Sequence, residues 1–576
     1  MWRPLCSMKK VLLSLRALLL VLMLCCVGSA FAYDFCVDDI YYTVDSATAE
    51  ATVVYKERYK PCYSGNLVIP ETVTYEGTTY TVTAIGEMTF AYCNMESVTL
   101  PNTLKTINDH AFAFCNGLSE IIIPNSVTTI GRYVFWCCTV MRRDFIGSGV
   151  QSIDQYLIES CYNVESLEVH PDNPYFDSRE GCNAIIETAT NSLIVGCKNT
   201  VFPSTITEIG HEAFYEGTGP EHVVIPNSVT KVGVIAFYRT KGVKSIVVGS
   251  GVVDMVDNPF CHIPDLESLS VHPDNPVFDS RNDCNAVIIT ATNTLFAACR
   301  STVIPEGITT IGTWAYLGCT GLDRIEIPST VTHIDQVAFG ECDVRHMTIP
   351  GNVKTIDGFA FDMCYNLQDV YIEDGVEQLG HEMFRLCVSL KRLRLPNTIT
   401  AIPYGMLWQC DSLPELIIPN SVTKVGDNAA LYCPALKRIV IGSGVTSLGH
   451  YAFMSASQAT TVTCLAPTPP STGISTLHWG WKDKTTLRVP WSSLEVYQTY
   501  WGEYFLEIVG CSDDGSAGPG DSSGDGIIGI SDVTVLIDAI MSGDTSGVNV
   551  ENADLNGNGR LDIGDVATII DMILNP

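Results

Sequence analysis

The sequence predicts an α/β repeat solenoid of about 17 turns of 23 residues, followed by a small all-α module at the C-terminus. Three observations carry this expectation. A short segment, Ile123-Pro124-Asn125-Ser126-Val127, is echoed along most of the 576 residues. Hydrophobic residues make up 46% of the chain against 17% charged, so most of it must bury apolar surface. Residues 521–576 hold ten acids and a single base, Arg560, and contain two copies of an oxygen-rich loop.

The position of Pro124 recurs as Pro70, Pro101, Gly147, His170, Pro203, Pro226, Gly249, His272, Pro305, Pro328, Pro350, Glu373, Pro396, Pro419, Gly442 and Leu465. Most steps are 23 residues, with one of 22, one of 31 and two of 33. A fixed period between 20 and 29 with apolar positions in step is the leucine-rich-repeat class of solenoid. One and three residues before the marker the chain is apolar, as in Ile325/Ile327, Leu416/Ile418 and Ile439/Ile441. The residues between them are mostly polar or mixed, as in Arg324/Glu326 and Arg392/Arg394. That alternation is a short strand with one buried face. Downstream, Val-x-x-Ile-Gly-x-x-Ala-Phe (Val127 to Phe135) supplies a turn or short helix that closes the other side. One unit cannot bury its apolar face alone, so neighbours must stack. Seventeen strands at ~4.8 Å give a rod or arc roughly 80 Å long.

Cys93, Cys115, Cys138, Cys161, Cys319, Cys342, Cys364, Cys387, Cys410 and Cys433 fall eight or nine residues before the marker. One thiol per turn at one position reads as a buried ladder of small apolar groups rather than a disulfide framework. The two 33-residue units match each other and each looks like a turn with an added hairpin. Folding the first about Ala189-Thr190 sets Cys182 opposite Cys197, and the second sets Cys284 opposite Cys299. Disulfides and core thiols both fit those pairs. Asp172, Asn173 and Asp177, with Asp274, Asn275 and Asp279, read as turn formers. Asp144 is the one acid at an inward strand position, and a local register slip is the expected explanation.

The pattern IPNSVTxIGxxAFxxC resembles the BspA-like leucine-rich repeats of bacterial surface and secreted proteins, over residues 67–464. The resemblance implies a curved solenoid and, because some members are adhesins, a binding role. Residues 33–66 would cap the N-terminal end. Residues 465–510 would cap the other, with the aromatic-rich stretch Thr486 to Gly510 covering the last turn. The sequence offers a recognition surface on the outward strand row, at Arg324, Glu326, Asp369, Tyr371, Arg392 and Arg394; a merely solvated sheet face fits these residues as well.

Residues 511–520 turn to Ser, Asp, Gly and Pro and read as a flexible linker. In DLNGNGRLDIGD, oxygen-bearing side chains stand at loop places one, three, five, nine and twelve: Asp554, Asn556, Asn558, Asp562 and Asp565. Gly559 makes the sharp turn at place six and the Arg560 carbonyl serves place seven. A hard cation needs six to eight oxygens, and a tight loop offers them at alternate residues. The first copy, DSSGDGIIGISD, supplies Asp521, Ser523, Asp525, the Ile527 carbonyl and Asp532, with Gly529 leaving one place to water. Two Ca²⁺ sites are expected, the second stronger. Each loop leads into a helix with apolar residues at Val533, Leu536, Ile537, Ile540 and at Val566, Ile569, Ile570, Ile573. Neither loop shows an entering helix, and both end in Asp. This arrangement over residues 521–576 resembles type I dockerins, which dock on cohesin modules. The resemblance implies a cohesin-like partner chosen in part by places ten and eleven, here Ile530-Ser531 and Ile563-Gly564; a self-folding calcium tail without such a partner is the alternative.

The net charge of −31 disfavours nucleic acid. Lys9, Lys10 and Arg16, the apolar run Val11 to Val27 and Ala30-Phe31-Ala32 read as a signal peptide over residues 1–32. A membrane anchor or a lipoprotein signal at Cys25 is the alternative; no other stretch is long and apolar enough to span a bilayer. No Gly-x-Ser-x-Gly or His-Glu-x-x-His occurs, and no non-repeat domain is large enough to hold converging carboxylates. The expectation is therefore no enzyme but a secreted or cell-surface binding scaffold, with a protein or glycan ligand on the solenoid. Membership of a polysaccharide-degrading complex, as a non-catalytic or, less favoured, a catalytic component, is the alternative.

Overall fold

The computed structural model describes residues 33–60, 63–511, 520, 522–523, 530–545, 548 and 550–574. The expected signal peptide lies outside them. The chain divides into two compact units, residues 1–243 and 244–576.

In the first unit an antiparallel meander, Phe35–Val37, Ile40–Asp45 and Glu50–Val54, starts the stack. Glu50–Val54 then pairs in parallel with Thr78–Ile85, which passes the ladder to Thr106–Ile107 and Thr129–Ile130. The marker strands form the opposite wall: Ser64–Val68 beside Asn94–Thr99, and Glu120–Ile122, Arg143–Ile146 and Ser166–Val169 in one parallel sheet. The alternation read from the sequence sets their burial, since odd and even residues of a strand face opposite sides.

The second unit repeats this plan. Marker strands run in parallel through His346–Ile349, Asp369–Ile372 and Arg392–Arg394, and through Glu415–Ile418, Arg438–Ile441 and Thr461–Cys464. The pairing does not stop at residue 464. Thr486–Pro490 and Glu507–Cys511 add two further parallel strands, which brings the coils of both units to about 19. Between these strands runs the solenoid's one described α-helix, α1 (Leu494–Trp501). Its Tyr497 and Trp501 bury with Trp481 and Phe505 over the end of the core, and Trp481 donates its ring N–H to the Ala456 carbonyl at 2.8 Å.

The turn segments are not helices, so the solenoid is a β-solenoid rather than an α/β one. Most turns place two residues in the left-handed region, for example Phe359 (φ 61°) and Met363 (φ 58°), then Glu382 (φ 50°) and Leu386 (φ 60°). L-residues do not continue a right-handed helix through such positions. Alternate N–H groups instead reach the next coil: Phe339 donates to Ala360 at 2.8 Å, Phe361 to Met383 and Phe384 to Met406 at 2.9 Å. The rings between them stack, Phe339 on Phe361 at 5.0 Å and Phe361 on Phe384 at 5.4 Å, all fully buried. The glycine after the short strand is demanded by close approach: a Cβ on Gly131 would lie 2.5 Å from the Asp109 nitrogen.

The cysteine ladder is buried apart from half-buried Cys319, and most of its thiols donate to a carbonyl of the coil before. Cys115 donates to Phe90 and Cys138 to Phe112 at 3.0 Å, Cys364 to Phe339 at 3.0 Å and Cys410 to Phe384 at 3.2 Å. Burial pushes the Cys161, Cys342 and Cys410 thiols well above the usual range, which suppresses the reactive thiolate. Alkylation of the folded chain followed by peptide mapping is therefore expected to label exposed Cys36 and leave Cys342 and Cys364 unmodified until denaturant is added. Labelling of Cys342 in the native chain would contradict this packing.

The inserted hairpins form as expected, Ala184–Glu187 against Ser192–Gly196 and Ala286–Ile289 against Thr294–Ala298. Cys182, Cys197, Cys284 and Cys299 are free buried thiols. Asn173 is a turn former: its amide donates to the Gly147 and Val150 carbonyls, and its oxygen accepts from Tyr175 and Phe176. Asp177 and Asp279 clamp Arg179 and Arg281, each at 2.5 Å. Asn275 repeats the part of Asn173. Asp172 and Asp274 sit in the same turns, and their backbone N–H groups donate to the ring nitrogens of His170 and His272.

Asp144 contradicts the expected register slip. It pairs in step with Ile121 on one side and Leu167 on the other, so it points into the core, 1% exposed. Neither carboxyl oxygen makes a hydrogen bond of ordinary geometry. Burial pushes its pKa up to about 7 against a weaker downward pull from the Phe145 N–H.

In the tail, α2 (Ile530–Ser542), α3 (Val550–Ala553) and α4 (Ile563–Leu574) pack Leu536, Ala553, Val566 and Ile569 into a small core. Three of the eight apolar residues expected on that face stay outside it, for Ile537, Ile540 and Ile570 are exposed. The one-turn α3 leads directly into Asp554, so the second loop does have a short entering helix. No described helix is long and apolar enough to cross a membrane.

Candidate functional site

The second tail loop is wound by its own acceptors. Asp554 at place one accepts the Asn558 N–H at 3.1 Å and the Gly559 N–H at 2.8 Å, which pulls the loop back over its first residue. Asn556 at place three accepts from Asn558 at 3.0 Å, and Asn558 at place five accepts from Arg560 at 2.8 Å. Gly559 holds φ at 77° and Gly557 at 66°, turns that side-chain-bearing residues resist. The Asn558 amide meets the Asp562 carboxylate at 2.9 Å, so places five and nine face each other across the loop. The Asn558 amide and the Gly564 N–H hold the Asp562 carboxyl below the usual range.

Asp565 at place twelve is fully buried at the start of α4. One of its oxygens accepts the Leu555 and Asn556 N–H groups at 2.9 and 3.2 Å, and the other accepts from Asp562 at 2.9 Å. It ties the last place of the loop to the first. The set Asp554, Asn556, Asn558, Asp562, Asp565 and the Arg560 carbonyl thus offers only oxygens, from one wrapped loop, as a hard cation requires. Among the described residues no group of three or more His, Cys, Asp or Glu stands close enough to hold a metal. The loop relies on amide and carbonyl oxygens as much as on carboxylates, and its carboxylates face its own N–H groups.

Of the first loop, Asp521, Asp525 and Ile527 lie outside the described residues. Asp532 repeats the part of Asp565: it is fully buried and accepts the Ser523 N–H at 2.8 Å. Ile530 and Ile563 open the two helices at equivalent positions, 71% and 77% exposed, beside half-buried Ser531 and Gly564.

On the solenoid's outward strand face, four of the six expected residues meet. Arg392 binds Asp369 in a bidentate pair at 2.5 and 2.7 Å. Arg394 lies over the Tyr371 ring, 4.5 Å from its centre, and donates to the Tyr371 hydroxyl. Arg324 sits one strand further back, bridged in parallel to His346, and faces Glu326 at 4.0 Å, both exposed. Sequence reasoning missed His346, whose ring lies 2.7 Å from Asp369 one strand back and extends the charged row. Its place two strands before Arg392, in the same column of the repeat, was the available signal. Arg392 and His346 hold the Asp369 carboxyl below its ordinary range, the arginine contributing more.

Comparisons with known proteins agree with this division of the chain. Residues 83–190, 186–281, 290–414 and 378–468 match the model for the BspA type leucine rich repeat region, and residues 519–574 match that for the dockerin type I domain. Both are binding modules and not catalysts. Among solved structures, a leucine-rich repeat protein from Bacteroides ovatus is 18% identical, with 83% of this chain and 100% of that one covered and a TM-score of 0.36. A leucine rich cell surface protein from Faecalibacterium prausnitzii is 18% identical over 76% of this chain and 95% of that one, TM-score 0.33. The pneumococcal vaccine antigen PcpA is 15% identical over 84% and 100%, TM-score 0.30. No curated protein matches. The repeat model takes in well over half of the residues, and the chain belongs to the BspA-type leucine-rich repeat family, with a type I dockerin domain at its C-terminus.

Proposed function

We propose that this chain is a secreted or cell-surface binding scaffold whose tail takes up two calcium ions and then docks on a cohesin-type partner. The observation that carries the reading is the second tail loop. Six oxygen donors at alternate places wrap one loop, and Asp565 ties its ends together. Asp554, Asn556, Asn558, Asp562, Asp565 and the Arg560 carbonyl hold the stronger site. Asp521, Ser523, Asp525, the Ile527 carbonyl and Asp532 hold the weaker one, where a glycine leaves a place to water. Ile530, Ser531, Ile563 and Gly564 present the docking face at the start of each helix. The solenoid, residues 67–464 with its caps, carries the ligand-binding surface on its outward strands.

Calcium organises the loops rather than catalysing anything: its charge offsets the −9 of residues 521–576 and fixes the helix starts. Pull-down of cohesin modules by the full chain, with and without a calcium chelator, tests this. Capture that calcium supports and chelation abolishes is expected. Capture that survives chelation, or no capture by any cohesin while calcium is bound, would overturn the partner assignment.

A further inference from the structure

The second unit buries part of a face that the repeat would leave open. Two residues before the marker, Val303 is 73% exposed, whereas Val440 and Thr463 at the same position are 2% and 1% exposed. Val440 clusters with Leu465, Cys511 and Ile417, so the strand that ends the solenoid delivers the chain onto its outward side. On that same face Asp538 of α2 lies 3.8 Å from Arg394, the arginine already stacked on Tyr371. Charge complements the contact. The outward strands carry Arg394 and Arg488 beside the pairs Arg392–Asp369 and Arg438–Glu415, against ten acids and one base in residues 521–576.

We propose that the acidic tail docks on the outward strand face of its own solenoid, with α2 placed over Arg394 and Tyr371 through Asp538. The docked tail stands over Arg394 and Tyr371 and leaves the Arg392 side chain, 74% exposed, and Ile530, 71% exposed, open to solvent. A half-exposed ion pair holds weakly, so docking is reversible.

Small-angle X-ray scattering of the calcium-loaded full chain tests the contact, comparing the wild type with Arg394→Glu, Asp538→Arg and the double exchange. Either single reversal is expected to lengthen the maximum dimension by about 15–20 Å, the root-mean-square reach of an unconstrained chain of about ten residues. The double exchange is expected to restore the wild-type profile, which a misfolded variant would not do. Superimposable profiles for all four proteins, or no restoration by the double exchange, would overturn the proposal. Calcium uptake measured on the same samples keeps the two readings separate, since neither Arg394 nor Asp538 belongs to the calcium loops.

Discussion

Asp144→Val is expected to stabilise the N-terminal unit by about 2–4 kcal/mol near pH 8 and by much less near pH 4. The sign follows from where the carboxyl sits. Its folded pKa is raised to about 7, because burial among Ile121, Leu167 and their neighbours disfavours the charge. An unfolded aspartate titrates near 3.9. Below about pH 4 both states are protonated and the group exacts no charge penalty. As pH rises from there to about 7 the unfolded chain gives up the proton first, so stability falls, and above that the loss is complete at ~3 pKa units or ~4 kcal/mol. Valine is apolar, β-branched and suited to a central strand, and it removes two buried oxygens that make no hydrogen bond. Some packing strain from the larger side chain lowers the gain. Asp144→Asn isolates the titration: it should flatten the pH dependence yet leave an unsatisfied amide. Chemical denaturation of the three proteins at both pH values reads the effect, and a variant equally stable or weaker at pH 8 would show that the carboxyl has found a partner.

Chelating calcium is expected to unfold the tail while leaving the solenoid intact. The tail core is only Leu536, Ala553, Val566 and Ile569 with partly buried neighbours, too small to hold three helices unaided. Without the ion, the loop oxygens of Asp554, Asp562 and Asp565 repel one another and both helix starts lose their anchor. Calcium at 100 times its dissociation constant contributes about 2.7 kcal/mol at each site, enough to decide folding in a module of this size. Three of the four described α-helices lie in the tail, so the helical circular dichroism signal should drop sharply on chelation and return with calcium. The β signal and the main thermal transition of the solenoid should not move. A helical signal indifferent to chelator would mean that the tail folds without calcium.

The repeat was legible because stacking forces each coil to present the same residue types at the same places. The marker, the strand alternation and the thiol ladder are all consequences of one cross-section repeated. The tail loop was legible for a similar reason, since ion coordination fixes oxygen donors at set intervals. What local pattern does not encode went unread. The segment around Ala111 and Phe112 has helical spacing of apolar residues, yet its N–H groups are claimed by the next coil and left-handed residues such as His110 and Phe114 break the helix. Thr486 to Gly510 lacks the marker sequence, so its two added strands were invisible although their backbone pairing is as regular as any other. Asp144 was misread because an acid at an inward position argues against its own register; the backbone pairing on both sides outweighed one side chain. The meeting of Asp538 with Arg394 depends on how the tail returns, which no repeat specifies.

Isothermal titration calorimetry of calcium into the full chain and into an Asp532→Ala/Asp565→Ala double variant decides where the molecule keeps its ion chemistry. Two bound ions per wild-type chain, one tighter than the other, and none in the double variant are expected. Calcium that still binds the double variant would place a site in the solenoid, and a wild-type chain that takes up none would remove the tail's proposed role altogether.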